Sequence, residues 1–210
     1  MPRFKLLNNI KNKMLVSRYL QRFWRFFQVK AESTEIDCAE VGGVMKLDIP
    51  ETWPNITLKS LAAIRFVHDH YTYDFLVRAN ATCYVNIASL KTHLESLNTK
   101  FIYAGPKAIN KEFISGWGII LNPSAIENLL GVEDIKYLEL FDDEAFGRML
   151  KSSGIEPLAI PYLEITSFEE LHSRTREELV SFPLIRVKAL RSGKRIDDAI
   201  MCELHEIIGE

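Results

Sequence analysis

Tyr73-Asp74-Phe75-Leu76-Val77-Arg78-Ala79-Asn80-Ala81-Thr82-Cys83-Tyr84-Val85-Asn86 is the stretch on which the reading of the fold turns. Tyr73 to Val77 form a short apolar run with β-branched and aromatic members, as expected of a strand buried in a mostly parallel sheet. Arg78 to Thr82 then turn polar and small, before Cys83-Tyr84-Val85-Asn86 resumes. A buried strand that ends in small polar residues predicts the carboxyl end of a central strand, where open α/β sheets gather their ligands.

Working outward, the chain alternates strand and helix patterns. Alternation over 44–49 predicts a strand closed by Pro50, and Asn55 stands as N-cap of a helix over 56–70. Beyond the central stretch come a helix over 87–98, a buried strand over 100–105 and a glycine-bearing loop or strand over 113–118. A helix over 125–130 takes Ser124 as its cap, and one over 145–152 ends at Gly154. Strands over 157–165 and 182–188 flank a charged helix over 168–179. A basic cluster, Arg191 to Arg195, leads to a terminal helix over 197–208. This order predicts a single compact α/β domain over 31–210, a mostly parallel central sheet flanked by helices.

The bulk numbers agree. The 210 residues are 47% hydrophobic and 26% charged, with a net charge of −2 that gives no reason to expect a nucleic-acid partner. The charge is uneven: residues 1–30 hold eight Lys and Arg and no acid, leaving 18 bases against 28 acids in the rest. In 1–30 the apolar and aromatic positions recur at helical spacing, so an amphipathic arm is expected. It packs on its own domain with its charges solvated, the favoured reading, or touches an anionic membrane surface peripherally, or else holds a strand over 23–29. Three widely spaced cysteines fit a reducing compartment. With no secretory signal, the two glycosylation sequons at Asn55 and Asn80 are read as chance. The expected location is cytoplasmic, with membrane association as the variant.

Four motifs in order add a resemblance. They are the central stretch, Pro54-Asn55-Ile56-Thr57-Leu58-Lys59-Ser60, Phe113-Ile114-Ser115-Gly116-Trp117-Gly118-Ile119-Ile120-Leu121-Asn122 and Asp142-Asp143-Glu144-Ala145-Phe146-Gly147. Over residues 40–200 the chain resembles the β-1,3-galactosyltransferase-like glycosyltransferases, which have the GT-A fold. The resemblance implies transfer of a hexose-type sugar from a nucleotide-sugar donor to a glycan or other hydroxyl acceptor, with inversion. In that family an acidic triplet and a histidine near the last strand hold a divalent metal. Here Asn80, Ala81 and Thr82 stand at the triplet and Leu184 at the histidine. The family also opens with a nucleotide-binding strand, and none is legible here before residue 40.

Asn and Thr are feeble ligands for a hard cation. The expectation is therefore a metal-independent enzyme with no cofactor, Mn2+ being the less favoured alternative. Cations would take the metal's place on the diphosphate: Arg186 and Lys188, which alternate on one face of the last strand, and Arg78. Lys59, in the first turn of its helix, either meets a phosphate near that end or is simply an exposed surface lysine. Lys59, Arg78, Asn80, Thr82, Arg186 and Lys188 are thus the donor-binding candidates. Ser115, Gly116, Trp117 and Asp142 are the acceptor-binding candidates, with Trp117 either stacking on a sugar or serving as a core aromatic. Asp143 is the candidate catalytic base. The competing reading is a silent relative that binds nucleotide-sugar or glycan, or scaffolds a partner transferase.

Overall fold

The computed structural model describes residues 38–209, apart from 42, 43, 51, 53, 54, 133 and 134. The arm expected over 1–30 lies outside the described residues. The chain divides into two compact units.

The first unit takes its described residues from 38–71 and 135–145. Strands β1 (Cys38–Val41) and β2 (Val44–Leu47) form an antiparallel hairpin. Helix α1 (Ile56–His70) follows with the predicted bounds. Asn55 precedes it, yet its side chain makes no capping bond and donates instead to the Pro50 carbonyl at 3.2 Å. Thr57 hydroxyl donates to the Leu140 carbonyl at 2.6 Å. A 3-10 turn (Ile135–Glu139) leads to α4 (Asp142–Ser152), whose first turn belongs to this unit.

The second unit carries two mixed sheets. One orders its strands β3 (Leu76–Ala79), β6 (Gly118–Leu121), β5 (Tyr103–Gly105) and β7 (Leu158–Ala159). The other orders them β4 (Cys83–Val85), β9 (Leu184–Val187) and β8 (Tyr162–Ile165). Only β5 with β7 and β8 with β9 run parallel; the other three pairings are antiparallel. The expected mostly parallel sheet is therefore corrected to a mixed α/β arrangement. The central strand is also corrected. Among the described residues β3 pairs only with β6, so it is an edge strand and half-buried. The polar residues after it form a turn that hands the chain to β4 in the other sheet.

A similar hand-over splits the strand expected over 157–165. Ile160 N–H still bonds the Gly105 carbonyl at 2.9 Å, but Pro161 has no N–H to extend a ladder, and the chain crosses to β8 beside β9. The helix expected over 168–179 likewise becomes two, α5 (Phe168–His172) and α6 (Arg176–Ser181), each with its own hydroxyl cap, Ser167 and Thr175.

The three-stranded sheet separates two apolar clusters. Side chains paired across strands share a face. Cys83 and Leu184 therefore point to one side, where they pack with Ala104, Ile120, Trp117 and the α2 (Ile87–Glu95) residues Leu90 and Leu94. Ile185, Val187, Leu163 and Ile165 point to the other, against Leu171, Leu179 and the Ile200 and Leu204 of α7 (Asp197–Gly209). Asparagine caps start two helices in this unit. Asn86 Oδ1 accepts from Ser89 N–H and opens α2, and Asn122 Oδ1 accepts from Ala125 N–H and opens α3 (Pro123–Leu130). The cap expected at Ser124 is thus Asn122, two residues earlier, with Pro123 at the first helical position where its missing N–H costs nothing.

Candidate functional site

Four of the donor candidates of the second unit, Asn80, Thr82, Arg186 and Lys188, meet at the end of β9. Val187 N–H donates to the Thr82 carbonyl at 2.8 Å, and Cys83 pairs with Arg186 across the ladder. The turn at Asn80 to Thr82 therefore adjoins Arg186 and Lys188. The turn is closed on itself: Asn80 Oδ1 accepts from Thr82 N–H at 3.0 Å and from its hydroxyl at 2.8 Å. This is an Asx turn, the arrangement an asparagine side chain favours.

Arg186 is held on two sides. Its Nη1 donates to Glu164 Oε1 at 3.0 Å, and its guanidinium lies 5.6 Å from the centre of the Trp117 ring. Tyr162 meets the same indole edge-on at 5.2 Å. Register explains the grouping, since Cys83, Arg186 and Glu164 form one row across the sheet and Tyr162 sits two residues from Glu164 on the same face. One donor is left over: Arg186 Nε is buried without a hydrogen-bond partner. Burial pushes the neighbouring Cys83 thiol up to about 12, although the Arg186 charge pulls the other way, so this sulfur is no nucleophile. Lys188 is exposed.

Arg78 does not join this group. Alternation along β3 puts Val77 with Ile120 in the shared core, and Arg78 with Ile119 on the opposite face of the four-stranded sheet. Nor does Trp117 offer a ring to solvent: it is 4% exposed and belongs to the core cluster. Ser115 and Gly116 are half-buried in a loop tied to its own chain, with Ser115 N–H on the Pro106 carbonyl at 2.8 Å. Gly118 and Gly105 serve packing. A Cβ on Gly118 would sit 3.0 Å from Leu184 Cδ1, and one on Gly105 (φ 147°) would sit 2.1 Å from the Gly118 carbonyl oxygen.

Lys59, Asp142 and Asp143 belong to the first unit. Lys59 is half-buried in the first turn of α1. Asp142 is buried and accepts from the Ser60 hydroxyl at 2.8 Å and from Asp143 N–H at 3.0 Å. Asp143 is half-buried, and its Oδ1 accepts from Glu144 N–H at 2.8 Å. All three acids of this helix start thus complement the positive end of the helix.

The resemblance implies a divalent metal on the triplet, and the residues present do not fit one. Asn80 already spends its carbonyl oxygen on Thr82, Ala81 has no ligand atom, and Leu184 is fully buried among apolar side chains. Among the described residues no group of three or more His, Cys, Asp or Glu could hold a metal ion.

Beside β3 lies a groove of about 1030 Å³, with Phe75, Val77, Val85 and Leu94 on its walls and Asp74, Lys91 and Glu95 among its polar lining. No helix among the described residues is long and apolar enough to cross a membrane.

Tyr162 and Glu164 are the members of the Arg186 group that the sequence reading passes over. Their signal is present in the alternation Tyr162-Leu163-Glu164-Ile165, exposed then buried in strict period two. No protein-family model matches this chain, and no curated protein matches its sequence.

Proposed function

We propose that the chain is a metal-independent, inverting glycosyltransferase whose cations hold the diphosphate of a nucleotide-sugar donor while a glycan or other hydroxyl acceptor receives the sugar. One observation carries this reading: the bond from Val187 N–H to the Thr82 carbonyl, 2.8 Å, which sets Arg186 and Lys188 beside the polar turn. Charge builds on a diphosphate as its bond to the sugar breaks, and fixed cations are worth most there. Arg186 offers a planar fork already held by Glu164 and Trp117, and Lys188 offers an exposed point charge. The base role of Asp143 rests on the resemblance of Asp142-Asp143-Glu144-Ala145-Phe146-Gly147 to the family's motif, and Asp143→Asn tests it by loss of turnover with donor binding intact.

A second reading has its own support. Asn80 and Thr82 bond each other rather than standing open, as suits a silent relative that binds nucleotide-sugar or glycan, or scaffolds a partner. Thermal shift and donor hydrolysis with UDP-, GDP- and TDP-sugars, with and without EDTA, separate the two. Hydrolysis that chelator leaves unchanged supports the enzyme. A thermal shift without hydrolysis supports the silent binder. No shift with any donor leaves the scaffold role.

A further inference from the structure

We infer that Tyr162, Glu164 and Arg186 form a shelf that binds one saccharide unit of the acceptor, with Tyr162 taking the stacking role that is one of the two readings of Trp117 in the sequence. The inference rests on the reading of the chain as a sugar-transferring protein and names the residues that would meet the acceptor.

Saccharide recognition asks for two things at once. An aromatic face must cover the apolar C–H side of a pyranose ring, and planar polar groups must bond its hydroxyls in pairs. Trp117 is buried and its indole is taken by Arg186 and Tyr162. Tyr162 is 37% exposed, and the Glu164 side chain is 49% exposed. The two side chains stand on one face of β8, two residues apart, with Arg186 beside Glu164 on the neighbouring strand. A carboxylate accepts from hydroxyls and a guanidinium donates to them, so the pair covers both polarities of a sugar hydroxyl.

The supports are rigid. The edge-on contact with Trp117 orients the Tyr162 ring, and the 3.0 Å bond between Arg186 and Glu164 fixes both polar groups before a ligand arrives. Little side-chain freedom remains to be lost on binding. Arg186 also adjoins the Asn80–Thr82 turn through the β4–β9 ladder, so the shelf and the proposed diphosphate contact share one residue.

The test uses the full chain and two readouts. Saturation-transfer NMR gives affinities for methyl β-galactoside, methyl β-glucoside and their N-acetylhexosamine counterparts. Thermal shift with UDP-, GDP- and TDP-sugars reports the donor. Tyr162→Ala is expected to weaken glycoside binding roughly three- to tenfold, the value of one aromatic contact. Tyr162→Phe keeps the ring and is expected to stay within about twofold of wild type. Both variants are expected to keep the wild-type donor shift. Glycoside affinity unchanged in Tyr162→Ala, with the donor shift intact, overturns the shelf and leaves the proposed function standing. So does a wild-type chain that binds donor but no glycoside of the panel. Loss of the donor shift in Tyr162→Ala but not Tyr162→Phe makes Tyr162 a platform for the nucleotide base and also overturns the shelf. A wild-type chain that binds neither class brings down both readings.

Discussion

Replacing Arg186 by methionine separates what this residue does for stability from what it does for binding. The substitution removes the ion pair with Glu164, which is half exposed and worth about 0.2–1 kcal/mol. It also removes the cation over Trp117, worth about 0.5–1 kcal/mol in a partly exposed setting. Against these losses stands the buried Nε with no partner, an uncompensated donor that costs about 1–3 kcal/mol. Methionine keeps an unbranched stem over the indole and adds a sulfur–aromatic contact of about 0.3–1.5 kcal/mol. Glu164, left behind, is hydrated. The losses come to about 0.7–2 kcal/mol and the gains to about 1.3–4.5 kcal/mol, so Arg186→Met is expected to lose no more than about 1 kcal/mol of unfolding stability and to gain as much as about 4 kcal/mol. Urea unfolding followed by far-UV circular dichroism measures this, and the same protein is expected to lose its thermal shift with nucleotide-sugars. A loss of more than about 3 kcal/mol would refute the reasoning, because it would mean that Arg186 anchors the sheet and that its charge is structural.

Asn122→Ala removes the α3 cap and two strand-anchoring bonds, to Ile102 N–H and the Lys100 carbonyl, and is expected to cost about 2–3 kcal/mol in urea unfolding, against under about 0.5 kcal/mol for Ser124→Ala. Equal costs would return the cap to Ser124. At Asp197, burial raises the carboxyl, but the Arg195 hydrogen bond, the Ala189 N–H and the nearby Arg195 and Lys188 charges outweigh it and hold the group below its ordinary 3.8. A depressed folded value means that its stabilisation is whole above pH 3.8 and fades as pH falls through the folded value; Asp197→Asn should therefore narrow the stability gap between pH 5 and pH 2, and an unchanged acid limb would contradict this. Alkylation of the native protein at pH 8 with peptide mapping should label the exposed Cys202 and spare Cys83, whose thiol is buried and pushed up to about 12; rapid labelling of Cys83 would show that its core opens.

Much of the local structure is legible in the chain. The helix over 56–70 is found with those bounds, because its apolar positions recur at helical period and Tyr71 leaves the helical conformation. The helix starting near 197 and the strand near 184–187 stand where alternation and composition put them. Class is legible too, since strand and helix patterns that interleave make a mixed α/β chain. At the candidate site, the nearness of Arg186 and Lys188 to Asn80–Thr82 is expected from the sequence, and the ladder between β4 and β9 supplies it.

What local pattern could not carry is pairing. Strand direction and order depend on contacts between residues far apart in the chain, and the same apolar run suits an edge strand or a central one. Hence β3 lies at an edge, the sheets are mixed, and Arg78 faces away from Arg186. The aromatic question is of the same kind: Trp117 and Tyr162 are equally fit to stack on a sugar as residues, and only the packing of two sheets against each other buries the first and exposes the second. Period and composition act within a few residues of one another, whereas burial is a property of everything that surrounds a side chain, and that is decided when the strands meet.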